Sequence, residues 1–526
     1  MKNRILLLII GFAACIVALN SCSDSELERL YPDPSKSSTA TIENFFTGIL
    51  QSSNEVVMPW YWRFFVTEQP TMGHYTQVMG WLNAKDQYIP SAQAMEWRWD
   101  QFYNGPMTQF RELERLYNAA DETEQQNKKI FMLAAKIFFY DQSAQIVDLY
   151  DDIPWSEAGK LRETGSLTAS VPVYDGGQSV YTAILDDLKS IADELSNIQV
   201  EAFYAGLFTE KDYLNNGNIM LWRKYCNSLR LRLLLRVSDI LGDRAASEIA
   251  SILNNPSQYP VVTGNDDDIM LDAEGPDLYS TTKSQTGGIQ QAMLTWGQYD
   301  IAPKAMVDHM RNNNDPRLVI TFDENKNGEY IGMDPLNNAT VQDKNLTDSL
   351  VSRYDASTYV RNDYFPGFVI TAAEVSFLKA EAYLKEYAPG DAQAAYETGI
   401  KQSIEMYYEI NAAGDYREPI EAPGESAVAG YIASENISWS DNSDKISLLA
   451  DQKWLNSGLG QMSLTWAETR RLNKPDFTFL VDGTSDQTAP PVRWLYPQSE
   501  KQLNGANYDA VKSKDELNTK VFWDIN

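Results

Sequence analysis

Helical spacing with a sharp break is what most restricts the fold of this chain. From Thr371 to Tyr387, Val375, Leu378 and Ala382 share one face. After Ala388-Pro389-Gly390, the stretch Asp391 to Tyr408 sets Ala395, Gly399 and Ser403 at four-residue steps, beside Tyr396, Ile400, Ile404 and Tyr407. Small residues at that interval let two helices approach closely while the large ones interlock alongside. The spacing therefore predicts an antiparallel helical pair. Two more pairs are expected, 107–120 with 128–149 and 178–196 with 218–240. In Lys128 to Tyr150, Leu133, Ile137, Tyr140, Ala144 and Val147 recur every three or four residues, and Ala134, Phe138 and Phe139 fill a second face. That helix should be buried on most sides. From Asn218 to Ile240, Trp222, Tyr225, Cys226, Leu229 and Leu233 make an apolar stripe, with Arg223, Lys224, Arg230 and Arg232 off it. Cys226 lies inside the stripe and is expected to be a buried, inert thiol.

Such pairs have the look of tetratricopeptide-type hairpins. Their spacing is irregular, so the expected fold is mainly α, one large globular domain of helical hairpins over residues 41–526 and not a regular solenoid. Little β structure is expected. Long loop-rich stretches are expected at 51–105, 255–300, 321–368 and 410–445, and loops of that length tend to carry function.

The N-terminus carries an address. Lys2 and Arg4 precede an apolar run from Ile5 to Leu19, followed by Asn20-Ser21-Cys22. Two positive charges and about 15 apolar residues before a small one make a secretory signal, shorter than the roughly 20 residues of a membrane-spanning helix. A cysteine at the cut makes it a lipoprotein signal: Cys22 would take acyl chains such as palmitate, and residues 1–21 would leave. Asn20 departs from the usual small residue, and Ala13-Ala14-Cys15 is a weaker second site, since cutting there leaves too short an apolar core. Residues 22–40, rich in Ser, Pro and charge, read as a tether from lipid to body.

A formal charge of −29 argues against nucleic acid as a partner, because phosphates would be repelled. With Cys15 in the leader and Cys22 lipidated, Cys226 is left alone and no disulfide framework is possible. Two histidines, His74 and His309, leave little room for a His-based metal site or a Ser/His/Asp triad. No cofactor or metal is expected, and no Gly-rich phosphate loop, Cys-x-x-Cys pair or Gly-x-Ser-x-Gly elbow is present.

The aromatic load is heavy, at 13 Trp, 29 Tyr and 19 Phe, and it concentrates in 58–103. A sugar stacks its C–H face on an aromatic ring while its hydroxyls need amides, acids or bases at the rim. His74, Tyr75, Gln77, Trp81, Asp86 and Tyr88 supply that mixture. The alternative is that these rings pack the core, which is the expectation for Trp97, Trp99 and Phe102. A second candidate edge runs from Tyr279 to Tyr299, with Gly287-Gly288, Gln290, Gln291, Trp296 and Tyr299. The segment Asp323 to Asp334 looks like half of an EF-hand calcium loop, but lacks a closing Glu, and reads better as an Asx/Gly turn. Asn265-Asp266-Asp267-Asp268 reads as a solvated turn or a helix-capping run. Glycosidase carboxylates meet in space and not in sequence, so 73 acids leave that possibility open.

Several segments, in order along nearly the whole chain, resemble the SusD/RagB family, in its divergent SusD-like branch. They are the leader ending in Cys22 with Ser23-Asp24-Ser25-Glu26, Tyr150-Asp-Asp-Ile-Pro-Trp-Ser-Glu157, Trp222-Arg-Lys-Tyr-Cys-Asn-Ser-Leu-Arg-Leu-Arg232, Asn314-Asp-Pro-Arg-Leu318, Glu374-Val-Ser-Phe-Leu-Lys-Ala-Glu-Ala-Tyr383 and Arg493-Trp-Leu-Tyr-Pro-Gln-Ser-Glu500. The resemblance implies an α-helical, tetratricopeptide-like fold. It also implies a non-catalytic lipoprotein on the outer face of the outer membrane. Such a protein lids a SusC-like TonB-dependent barrel transporter and delivers an oligosaccharide to it, with a peptide ligand possible. The starch-binding residues of the family prototype do not align onto 58–105, so the site residues above rest on the aromatic argument. Two other readings stand beside it: a surface glycoside hydrolase, and a helical-repeat protein-interaction module.

Overall fold

The computed structural model describes residues 40–58, 61–271, 293–294 and 300–526. Cys22, the leader, nearly all of the tether, and Trp296 and Tyr299 of the second edge lie outside them.

Helices dominate. In chain order the principal ones are α1 (Ile42–Ser52), α2 (Ala92–Phe102), α3 (Thr108–Ala119), α4 (Lys129–Tyr150), α5 (Gly177–Ser196), α6 (Ile219–Arg236), α7 (Asp243–Asn254), α8 (Ala372–Leu384), α9 (Ala392–Ala413), α10 (Glu425–Ile432), α11 (Lys445–Ser457) and α12 (Met462–Leu472). Four short strands, β1 (Ile269–Leu271), β2 (Phe322–Asp323), β3 (Arg353–Tyr354) and β4 (Gly367–Ile370), form two antiparallel pairs, β1 with β4 and β2 with β3. The three expected helical pairs are α8 with α9, α3 with α4 and α5 with α6. In the first, Thr371 and Asp391 cap the two helices by accepting the amides of Glu374 at 3.2 Å and Ala394 at 3.0 Å. Gly399 is the crossing point: a Cβ there would stand 2.5 Å from the Phe377 ring. No described helix is long and apolar enough to cross a membrane. The long apolar helix α4 is instead wrapped on nearly all sides by protein.

The stretch 51–105 departs from the expected loop. It holds a short helix at Asn54–Val57, a π-helical segment at Trp62–Gly73 and α2. The wider turn of the π-helical segment, with Pro70 inside it, obscures a 3.6-residue pattern, so the sequence reads as irregular. Part of 410–445 is likewise helical, as α10.

Arg230, Arg232 and Arg236 of α6 are also buried, whereas Arg223 and Lys224 near its start are half-buried. Arg232 pairs with Glu374 at 2.6 Å and Asp141 at 3.3 Å, and Arg236 with Asp148 at 2.5 Å and Glu468 at 3.0 Å. From Glu468 the chain of charges continues to Arg471 at 2.7 Å, then to Glu381 at 2.6 Å, with Lys453 bridging Glu381 at 2.5 Å and Glu468 at 2.9 Å. Burial alone would raise the Glu381 and Glu468 carboxyls, but Arg471 and Lys453 outweigh it and hold both well below the usual range. Cys226 is fully buried, its thiol donating to the Leu188 carbonyl at 3.4 Å, and burial pushes it up to about 12. It is an inert core residue.

Removing one member of a buried ion network leaves its partners uncompensated, which costs roughly 3–5 kcal/mol. Arg471→Ala, which strands Glu381 and Glu468, is expected to lower unfolding stability by that order in denaturant titrations. Lys344→Ala, which breaks an exposed pair with Asp348, should move the midpoint far less.

Candidate functional site

The aromatic segment begins where the π-helical turn ends, at His74. The His74 ring lies 3.6 Å from that of Trp81 and 5.2 Å from that of Tyr88. It is 4% exposed, and burial drives its pKa down to about 3. Tyr75 is buried, its hydroxyl donating to the Tyr88 carbonyl at 3.2 Å. Gln77 is buried at a positive φ of 48°, its amide donating to the Thr478 carbonyl at 2.7 Å. Tyr88 is fully buried and donates to the Leu480 carbonyl at 2.6 Å. Segment 474–488 thus covers this loop from outside, and His74, Tyr75, Gln77 and Tyr88 pack beneath the surface. Trp81 and Asp86 reach solvent. Trp81 is half-buried, held by its indole N–H to Asn83 Oδ1 at 2.8 Å and stacked 6.5 Å from the Phe479 ring. Leu82, Ile89 and Val481 are exposed on the same two segments. Trp99 and Phe102 are core residues, as expected.

An opening lies beside this loop, where the Gly80 amide donates to the Ile301 carbonyl at 2.9 Å and Ile301 bridges Arg353. It is a cleft of about 760 Å³ walled by Asp300, the β2–β3 pair, Asp355, Arg361 and Arg417, with Leu294 and Ile420 at its edges. Register places Asp323 opposite Arg353 and Phe322 opposite Tyr354. Arg353 pairs with Asp300. Arg417 grips both oxygens of Asp323, at 2.5 and 3.1 Å, and reaches Asp355 at 3.2 Å. Tyr416, 45% exposed, lies under Arg361 and Arg417, at 4.7 and 5.4 Å from ring centre to guanidinium carbon. Asp355 also caps the turn that follows, accepting the Thr358 amide at 2.6 Å. Burial pushes its carboxyl up to about 6, against the pull of that amide and of Arg417.

The lining offers guanidinium and carboxylate groups side by side with an aromatic face. That combination meets hydroxyls that both donate and accept, over an apolar ring face. Of these cleft residues the sequence singled out Asp323 alone, and for a different role, as the start of the calcium-loop-like segment. For the others the prior signal was the length of the loops 321–368 and 410–445, because partners such as Asp323 and Arg417 stand 94 residues apart. The Asp323–Asp334 segment is a turn: the Asn325 side-chain oxygen accepts the Asn327 and Glu329 amides at 2.8 and 3.1 Å, and Gly328 takes φ 74°. Asp323 is turned to Arg417 and Asp334 to the Leu336 amide. Among the described residues no three His, Cys, Asp or Glu side chains converge on one point. Asp268 of the other acidic run accepts the Ala372 amide at 2.6 Å and so caps α8.

A family model described as starch-binding, associating with the outer membrane, matches residues 35–497. Among solved structures, a chitin-binding protein superposes with a TM-score of 0.74 at 19% identity, covering 92% of this chain and 100% of its own. A chitin-binding SusD homologue from Flavobacterium johnsoniae gives 0.69 at 20%, over 92% and 99%. A SusD homologue from Bacteroides fragilis gives 0.68 at 21%, over 92% and 99%. At these identities the likeness is one of fold. No curated protein matches the chain.

His74 is buried and His309 half-buried, and desolvation lowers their pKa values to about 3 and about 4. An unfolded histidine titrates near 6.5, so unfolding takes up protons below that pH and each residue reduces stability as pH falls. NMR of the two imidazoles should show no titration between about pH 8 and 5. A midpoint near 6.5 for His74 would mean that the Trp81 loop is open in solution.

Proposed function

The chain belongs to the SusD-like family, and from that premise we propose that it is a surface lipoprotein, anchored through Cys22, that binds an oligosaccharide in the Asp300–Arg417 cleft and delivers it to a SusC-like TonB-dependent barrel transporter. Carbohydrate binding at the outer membrane, without catalysis, is the character of the family. The observation that carries the ligand reading is the cleft itself. At about 760 Å³ it has the size of a small-molecule site, and its wall brings Asp323, Arg353, Asp355 and Arg417 together with the half-buried ring of Tyr330. Trp81 and Asp86, which reach solvent on the neighbouring loop, would add a ring and a carboxylate beside it. His74, Tyr75, Gln77 and Tyr88 hold Trp81 in place from below. Trp296 and Tyr299, which precede Asp300 in the sequence, stay candidates on the aromatic argument alone.

Attachment follows from the leader. Two or more acyl chains on Cys22 would hold the protein stably at the membrane, and Ser23-Asp24-Ser25-Glu26 resembles the signal that sends such lipoproteins to the cell exterior. Two structural neighbours are named chitin-binding, so chito-oligosaccharides are the first ligands to try, with malto-oligosaccharides beside them.

Calorimetry on protein beginning at Ser23 is expected to detect binding to at least one glycan. Arg353→Ala should weaken it about ten- to hundred-fold, since hydrogen bonds from a charged group contribute roughly 1.5–3 kcal/mol. Trp81→Ala should cost several-fold, from the loss of a ring contact of roughly 0.5–1.5 kcal/mol. Glu122→Ala, on a distant exposed helix, should change nothing. Binding to no glycan, or equal binding by all variants, would remove the cleft from consideration. Purification from outer membranes should bring down a large barrel, and Cys22→Ala should release the protein from them.

A further inference from the structure

The segment from Gly414 to Gly424, which joins α9 to α10, divides two depressions. On one side is the cleft. On the other is a groove of about 810 Å³ between α9 and α10, with Ile404, Tyr408 and Ala412 on one wall and Val428 on the other. Ile420 lines both depressions. Residues 415–422 are all exposed, so the segment lies across the surface as a strap.

Few contacts hold it down. Gly414 is pinned at one end, where a Cβ would stand 2.5 Å from the Ser357 carbonyl. Among the described residues, the Ile420 amide is the one backbone donor between 415 and 423 that reaches the body, at 3.0 Å from Asn411 Oδ1. Everything else runs through Arg417, which is clamped between Asp323 and Asp355, and through Tyr416 beneath Arg361. The Arg417 side chain is 47% exposed and that of Asp323 32%, so this ion pair contributes little, and the buried Asp355 keeps the Thr358 amide as a partner when Arg417 leaves. A polyol offers the same partners in its place: its hydroxyls donate to Asp323 and Asp355 and accept from the guanidinium.

We propose that the strap is a latch opened by the ligand. Sugar hydroxyls take over Asp323 and Asp355, Arg417 lets go, and the strap lifts from its two ends. Cleft and groove then join into one trough, polar at the cleft and apolar beyond Ile420. The site therefore selects for chain length, taking an oligosaccharide longer than the cleft alone encloses, with its apolar sugar faces along α9. The inference rests on the glycan reading of the cleft, whereas the latch itself can be tested without a ligand.

A spin label on Glu418→Cys reports the strap, because Cys226 is buried and protein beginning at Ser23 has no other thiol. Arg417→Ala should narrow the label's spectrum, and Arg417→Lys should do so less. An unchanged spectrum in Arg417→Ala would overturn the latch, whether or not any glycan binds. The second arm compares the double variant Asp323→Cys with Arg417→Cys before and after bridging by a bis-maleimide. Wild-type affinity should rise with chito- or malto-oligosaccharide length; in the double variant, whose cleft lacks both side chains with or without the bridge, the rise that remains should be lost on bridging, by about ten-fold for the longest chain. Equal length dependence in bridged and unbridged protein would overturn the proposal while leaving glycan binding intact. Failure of every glycan to bind wild type would refute the glycan reading and its length selection together, leaving the label to judge the strap as a mechanical latch.

Discussion

A line of buried charge ties the helices together. Asp141 and Asp148 of α4, Arg232 and Arg236 of α6, Glu374 and Glu381 of α8, Lys453 of α11, and Glu468 and Arg471 of α12 meet with side chains no more than 11% exposed. Such a network adds little to stability over a well-packed apolar core, because desolvation consumes much of the attraction. Its effect is on geometry. Each charge must find its partners or remain uncompensated, so a helix shifted by one turn along its neighbour would leave several charges exposed to an apolar interior. The network therefore fixes the register of five helices at once. Tyr225 on Asp141, and Tyr181 with Trp523 on Asp148, complete the remaining acceptor positions.

That register positions the loops. Arg232 donates to the Val369 carbonyl of β4 at 2.6 Å, and β4 leads directly into Thr371, the cap of α8. Strand β3 carries Arg353, the stretch from β3 to β4 carries Asp355 and Arg361, and the loop after α9 carries Tyr416 and Arg417. Both cleft walls are thus tethered to the same helical pair. The aromatic loop is fastened independently, by the Trp454 indole of α11 to the Thr76 carbonyl at 2.9 Å and by Arg63 to the Gly460 carbonyl at 2.8 Å.

How much of this was legible in the sequence depends on where partners lie. Helices α8 and α9 were readable because their contacts repeat locally, Gly399 against Phe377 being the crossing. The aromatic concentration was readable for the same reason. The arginines of α6 were not, since a polar face reads as solvated until its counter-ions, 142 residues away at Glu374 or 232 away at Glu468, are brought to it. The cleft was hidden in the same manner: Asp300 with Arg353 and Asp323 with Arg417 are pairs made by the fold. In the segment 74–88, composition correctly marked a place where rings gather. It could not separate the residue at the surface, Trp81, from those beneath it, because a loop has no period to say which side faces out.

A protein that passes its ligand on, as proposed for this one, must also release it, and the paired charges of the cleft would suit that demand. Its guanidinium groups already have partners: Asp300 for Arg353, Asp323 and Asp355 for Arg417. A ligand hydroxyl therefore exchanges one set of hydrogen bonds for another, and the net gain is far smaller than the sum of the new contacts. Differences in affinity among related complexes lie mostly in the rate of release, so a site that re-forms its own ion pairs as the ligand departs lowers the barrier to release. A deeper cavity with unpaired donors would hold a sugar longer and deliver it less readily. On this reading the abundance of paired charge in the cleft is what makes it a site for transfer and not for storage.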